Sequence, residues 1–272
     1  MIFLIFSPFT VPVIPIKRGK EIEAMRRSCR VVTEIIEKIR PILAPGITTE
    51  EVDKYAAHLI ESYGAKSAFL GYRGFPGNIC ISINEEVVHG IGGKRKIQYG
   101  DLVKLDVGII LDGWIGDTAK TYPVGTVDVE DLRLIEVTNK ALMLGIAQAQ
   151  EGNRIGDISS AIERYVLEQG YQVVKEFVGH GVGRKLHEKP HVPNFGKPGQ
   201  GPKLKAGMTI AIEPMVNRGS GKVLMMPDGW TAVTEDGQRS AHFEHTVLIT
   251  KNGPEILTLT EDNVELVYHT AF

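Results

Sequence analysis

Cysteine is scarce in this 272-residue chain, with only Cys29 and Cys80. Two thiols cannot build a disulfide framework, so the expected compartment is a reducing cytoplasm. Charge of one sign is lacking as well: 31 lysines and arginines face 33 aspartates and glutamates, a formal net charge of −2. A polyvalent nucleic-acid binder would be strongly basic, so no specific nucleic-acid partner is expected. The apolar set AVILMFWYC supplies 43 % of the residues, which excludes a disordered or collagenous chain. No uninterrupted apolar run reaches the roughly 20 residues of a membrane helix. Met1–Ile16 (MIFLIFSPFTVPVIPI) comes nearest, but Pro8, Pro12 and Pro15 interrupt it. No basic residue precedes the run and no small-residue cleavage pattern follows, so it does not read as a signal peptide. Residues 1–15 are therefore taken as an amino-terminal extension, and no membrane partner is expected.

What the chain does contain is a repeat. Ile22, Met25, Cys29, Val32, Ile35, Ile36 and Ile39 recur at helical spacing, which predicts a helix over Lys20–Leu43 stopped by Ala44-Pro45-Gly46. Thr48-Thr49-Glu50-Glu51 has the form of a capping box, and a second helix through Val52, Tyr55, Leu59 and Tyr63 ends at Gly64. A shift of 106 residues finds the same pair again. A long periodic segment runs through Leu132, Ile135, Leu142, Ile146 and Ala149 to Gly152. A shorter one starts near Asp157 and ends at Gly170. Matched lengths and matched terminal glycines favour duplication over four unrelated helices.

Strand-like segments follow each helix pair: Asn78–Asn84 and Leu102–Ile110 in the first half, Thr209–Val216 and His242–Thr250 in the second. Asp112-Gly113 is a strong hairpin signal. Helices and strands in blocks, joined by a tight hairpin, predict an α+β fold with a largely antiparallel sheet. No low-complexity linker separates the halves, so residues 16–272 are expected to form a single catalytic domain.

If Asp112 and Gly113 are the turn, Leu111 faces Trp114 and Asp117 lies opposite Gly108. Asp106 and Asp117 then become diagonal neighbours on one face, roughly 7–8 Å apart. Two carboxylates among Val103, Leu105, Val107 and Ile109 repel unless a cation lies between them, which favours a metal over a solvated pair. Glu213 and Glu244 each sit as a lone acid in an apolar strand, and Glu213 follows Asp106 by 107 residues. Between Asp106 and Glu213 lies Gly179-His180-Gly181-Val182-Gly183, then His187 and Glu188. Any of His89, His180 or His187 alone could be a core histidine. Four carboxylates and one imidazole together can hold two divalent ions and acidify a bound water. That oxygen-rich set suits Mn, Fe, Co or Zn and is not a thiolate site.

Cys80-Ile81-Ser82-Ile83-Asn84 with Val88-His89-Gly90-Ile91, Lys104-Leu105-Asp106-Val107-Gly108, Gly116-Asp117-Thr118-Ala119, the His180 and His187 segments, Ile212-Glu213-Pro214-Met215 and Phe243-Glu244-His245-Thr246 closely resemble methionine aminopeptidase, type I. The resemblance runs from about Ile16 to the end of the Glu244 strand. It implies the pita-bread fold, two pseudo-symmetric halves with a curved antiparallel sheet covered by helices. It also implies a dinuclear metallo-hydrolase that removes the amino-terminal methionine of nascent proteins when the second residue is small, through a metal-bridging hydroxide. Asp106, Asp117, His180, Glu213 and Glu244 match the family's metal ligands, with Asp117 and Glu244 as the bridging pair. The ions implied are Co, Mn, Fe, Zn or Ni. Glu213 matches the proton shuttle, and His89 and His187 the catalytic histidines that bind substrate. Phe69, Tyr72, Phe75, Cys80, Leu186 and Trp230 match the methionine pocket, although Tyr72, Phe75 and Trp230 alone would read as core aromatics.

Two other readings compete. An Xaa-Pro aminopeptidase shares the fold and ligands but usually carries an extra amino-terminal domain, for which some 20 residues leave no room. Ile212-Glu213-Pro214-Met215 also favours the methionine enzyme. The 31 residues from Glu213 to Glu244 leave no space for the long insertion of a type II enzyme. A non-catalytic pita-bread binding module would have lost its ligands, and all five positions are filled. Lys94-Arg95-Lys96 and Arg26-Arg27 with Arg30 are basic clusters, read as solvated faces in preference to ribosome-docking surfaces. A monomer is expected.

Overall fold

The first helix, α1 (Lys20–Ile39), turns Met25, Cys29, Val32, Ile35, Ile36 and Ile39 inward, and each is fully buried. Burying a side chain of this size contributes about 1.5–3 kcal/mol. The helix stops earlier than the pattern predicts. Pro41 lacks an amide hydrogen and restricts Arg40, so the chain tightens into a 3-10 turn over Arg40–Ile42 before Ala44-Pro45-Gly46 is reached. This computed structural model describes residues 13–259; residues 1–12 of the expected extension lie outside the described residues.

In chain order there follow α2 (Thr49–Ser62), β1 (Lys66–Ser67), β2 (Cys80–Ile83), β3 (Glu86–Val88), β4 (Leu102–Leu111) and β5 (Trp114–Pro123). The second half holds α3 (Val129–Ala147), α4 (Ile155–Glu168), β6 (Gln172–Val173), β7 (Gly179–Gly181), β8 (Glu188–Val192) and β9 (Thr209–Ile212). The chain continues through β10 (Met215–Asn217), β11 (Val223–Met225), β12 (Ala232–Thr234), β13 (Ser240–His242), β14 (Glu244–Thr250) and β15 (Gly253–Ile256). The duplication is visible in detail. Thr48 and Glu51 form the capping box of α2, and Asp157 accepts from the Arg154 amide at the equivalent place in α4. Gly46 and Gly152 share positive φ values of 97° and 99° after the first helix of each pair.

One antiparallel sheet of nine strands crosses both halves in the order β1-β4-β5-β14-β9-β7-β8, with β2 beside β4 and β15 beside β14. The α1–α2 pair covers a core built with β2 and β4, around Ile36, Ile60, Ile81 and Leu105. The α3–α4 pair covers its counterpart around Leu142, Ile162, Ile210 and Val247. The β4–β5 hairpin has the expected register: Leu111 faces Trp114 and Gly108 faces Asp117. Asp112 and Gly113 have φ of 50° and 75°, as a type I′ turn requires.

Two expected strands are broken, and the breaks matter. Thr209–Val216 divides at Glu213-Pro214 into β9 and β10, and His242–Thr250 divides at Phe243 into β13 and β14. Proline cannot donate to a ladder, so the chain bends there and leaves the large sheet. Met215 pairs with His242 in a three-stranded sheet, while Ile212 pairs with His245 in the nine-stranded one. Glu213 and Glu244 sit at the two bends.

Candidate metal centre

Five neighbouring strands of the large sheet each bring one polar group to the same place. Asp106 comes from β4, Asp117 from β5, Glu244 from the start of β14, Glu213 from the end of β9 and His180 from β7. Atoms of Asp117, His180 and Glu244 approach within 4.8 Å of one another, and all three residues are buried. His180 Nε2 lies 3.4 Å from a Glu213 carboxylate oxygen and 3.8 Å from Asp117. His180 Nδ1 is 2.9 Å from the Gly181 carbonyl, which can only accept. The proton of the neutral ring is therefore on Nδ1, leaving the Nε2 lone pair facing the acids.

Electrostatics make this cluster intolerable on its own. Burial raises the Asp106 carboxyl to about 7 and the Glu213 carboxyl to about 8. Asp117 and Glu244 are pushed well above the carboxylate range by burial and by the neighbouring acids. Burial lowers His180 to about 3, so its imidazole is neutral. Among the described residues no lysine or arginine forms an ion pair with these four acids. Asp117 Oδ1 and Glu244 Oε1 are buried without a hydrogen-bond partner. Unpartnered carboxylate oxygens facing an unprotonated imidazole nitrogen are the donor set of a divalent cation, and the residues present fit one.

The acids form the base of a cavity of about 360 Å³. Phe69, Tyr72, Phe75, Cys80, Leu186 and Trp230 all line it, as do His89 and His187. Phe75 and Trp230 meet edge to face at 5.2 Å between ring centroids. Gly108 makes room for this wall, because a Cβ there would lie 2.3 Å from the Phe69 ring. His187 stands at the open edge with Nδ1 2.7 Å from the Tyr72 hydroxyl and its ring 4.3 Å from that of His180. His89, at φ 60°, packs its ring 5.1 Å from Phe177. Burial lowers both His89 and His187 to about 4, with smaller contributions from His242 and His187 at the first and from Arg73 and His191 at the second.

The chain from residue 23 to 251 matches the model of metallopeptidase family M24. A curated relative, the methionine aminopeptidase of Clostridium perfringens, is 48 % identical over 244 residues, covering 90 % of this chain and 98 % of that protein. The chain belongs to the methionine aminopeptidases of family M24. The crystal structure of methionine aminopeptidase from Rickettsia prowazekii superposes with a TM-score of 0.90 at 42 % identity, covering 91 % of this chain and all of that one. The pita-bread fold expected from the sequence is thereby shown. Prolidase from Pyrococcus furiosus is more distant, with a TM-score of 0.73 and 26 % identity, and this chain covers 66 % of it.

The sequence motifs do not mark every residue of the site. Val178 leads into the His180 motif, but Arg73, Glu176, Phe177 and His191 also line the cavity without a motif to mark them. His242 is fully buried behind it, with Nε2 3.6 Å from the second Glu213 oxygen. Its position two residues before Glu244 was the only signal. The strand break at Phe243 hides the fact that both residues face one centre.

Proposed function

We propose that this chain removes the amino-terminal methionine from polypeptides whose second residue is small. The observation that carries the reading is the convergence of four buried carboxylates and an Nε2-directed imidazole on the base of an aromatic cavity. Asp106, Asp117, His180, Glu213 and Glu244 are the residues that would hold two divalent ions, with Asp117 and Glu244 shared between them. Ions held there supply Lewis-acid polarisation of the scissile carbonyl and a lowered pKa for water.

The chain's own residues do the rest. Phe75, Trp230 and Cys80 take the methionine side chain, whose flexible thioether suits an aromatic wall. Glu213, at the bend after β9 and 3.4 Å from His180 Nε2, is placed to take up a proton and pass it to the leaving amine. With the Tyr72 hydroxyl donating across its 2.7 Å contact to His187 Nδ1, the neutral ring would keep its proton on Nε2 to steady the oxyanion that develops on the scissile carbonyl. His89, held in place by Phe177, orients the substrate backbone beside it.

Nascent polypeptides in a cytoplasm are the proposed substrates and setting. Cys29 and Cys80 are both buried and unbridged, and among the described residues no helix is long and apolar enough to cross a membrane. Cobalt, manganese, iron, zinc and nickel all suit the donor set, and the chain is proposed to act as a monomer. Activity on a Met-Ala-Ser peptide after chelation, then with each metal added back, tests the reading. No cleavage under any metal would overturn it in favour of a binding module.

A further inference from the structure

His187 and Leu186 lie on the loop between β7 and β8, and that loop is tied down from an unexpected quarter. Glu188, the first residue of β8, directs one carboxylate oxygen to the backbone amides of Arg184 and Lys185, at 2.9 and 3.3 Å. Its other oxygen accepts from Lys17 Nζ at 2.5 Å. Both side chains are nearly excluded from solvent, at 4 % and 8 %. Lys17 is itself fixed by its own amide, which donates to the Gly207 carbonyl at 2.8 Å. The ion pair thus joins the segment before α1 to the catalytic loop across 171 positions of sequence.

The surroundings are shaped for this pair. A Cβ on Gly183 would lie 2.6 Å from Lys17 Cε, 2.7 Å from Nζ and 2.7 Å from the Glu188 oxygen. Glycine at 183 is what lets the lysine reach the carboxylate. A buried pair of this kind is a poor stabiliser, because desolvation offsets much of its attraction. It is a good geometric constraint, since one carboxylate fixes two loop amides and an ammonium at once.

We infer that Lys17 and Glu188 are positioning residues for catalysis: the pair braces the Gly183–His187 loop so that His187 meets both Tyr72 and the cavity. The inference rests on the role given to His187 above. Misplacing a catalytic group by about 1 Å costs on the order of 10²-fold. Releasing the brace therefore lowers kcat and leaves the metal ligands, which lie outside the loop on β4, β5, β7 and β14 and at the end of β9, undisturbed.

The test compares Lys17→Met, Lys17→Arg and Glu188→Gln, each alone and with His187→Ala. The readouts are kcat and KM on Met-Ala-Ser at saturating metal, with metal content measured in parallel. Lys17→Met is expected to lower kcat about 10–100-fold at normal metal content, and Lys17→Arg to recover part of the loss. With His187→Ala already present, Lys17→Met should add almost nothing, because both act through one group. An undiminished kcat in Lys17→Met, or a full further loss beside His187→Ala, overturns the brace. Should Lys17→Met fail to fold, Glu188→Gln is read by the same criteria, since it keeps an acceptor for the loop amides and drops the charge. If His187→Ala alone leaves kcat unchanged, the role of His187 fails first and the brace with it.

Discussion

Asp106 and Glu244 stand in register on either side of a single residue, Ala119, although 138 positions of sequence separate them. Asp106 pairs with Ala119 across β4–β5, and Glu244 pairs with the same Ala119 across β5–β14. Asp117 lies two residues along β5 on the same face. The three acids therefore form a triangle whose size is set by strand spacing alone.

That triangle makes the metal predictions distinguishable. Asp117→Asn or Glu244→Gln should weaken both ions together, because their strands β5 and β14 lie between β4, which carries Asp106, and β7, which carries His180. Asp106→Asn should loosen mainly one. Calorimetric titration of metal into each variant checks this; three unchanged affinities would sink the shared-ligand assignment.

Glu213→Gln keeps the shape and part of the ligation while removing the acid. Its kcat should fall by at least about 10²-fold, the usual scale of general acid–base catalysis. His187→Ala should lower kcat with less effect on bound metal. Near-normal turnover in Glu213→Gln would refute a proton-transfer role.

The metal-free protein should lose stability as pH rises from about 6.5 to 8. Asp106 and Glu213 have folded-state values of about 7 and 8 against ordinary values of 3.8 and 4.5. In that window the folded state binds more protons than the unfolded one, so stability falls with rising pH. Below 6.5 the histidines oppose this slope: His180 and His89, lowered to about 3 and 4, favour the unfolded state as it gains their protons. Thermal unfolding in chelator across pH 5–9 should show the decline above 6.5. Added metal should remove it, since bound ions replace the protons. A midpoint that rises through that range contradicts the electrostatic account.

Specificity should follow the cavity wall. Met-Ala and Met-Gly peptides should be cleaved, with little or no cleavage of Met-Lys, Val-Ala, Ala-Pro or formylated peptides. Trp230→Ala removes half of the Phe75 contact and should lower kcat/KM on Met-Ala-Ser about 10–100-fold, the scale of pocket discrimination. Mass spectrometry of a peptide panel decides the matter, and a preference for Ala-Pro would replace the methionine reading with the proline one.

Gly108→Ala should act through Phe69. The added methyl would overlap the ring at 2.3 Å, and overpacking of this kind costs about 1–3 kcal/mol. A lower thermal midpoint together with a raised KM for methionine peptides is expected. An unchanged KM would mean that Phe69 does not shape the pocket.

The chain's local grammar was legible without coordinates. Helical periodicity, the Thr48–Glu51 cap, the glycines at 46, 64, 152 and 170 and the Asp112-Gly113 turn are each written within a few residues. Together they place both helix pairs and the β4–β5 register, and hence the diagonal juxtaposition of Asp106 and Asp117. Those features follow from backbone sterics and short-range hydrogen bonds, which a sequence window contains entire. Pro214 carried a local signal for the bend at Glu213, but the bend at Phe243, the burial of His242 and the Lys17–Glu188 pair were not legible, because each depends on which distant strand lies alongside. Strand order β4-β5-β14-β9-β7 is settled when the two helix-covered cores pack into one continuous sheet. Only that non-local pairing decides that acids 138 positions apart share Ala119 as a neighbour.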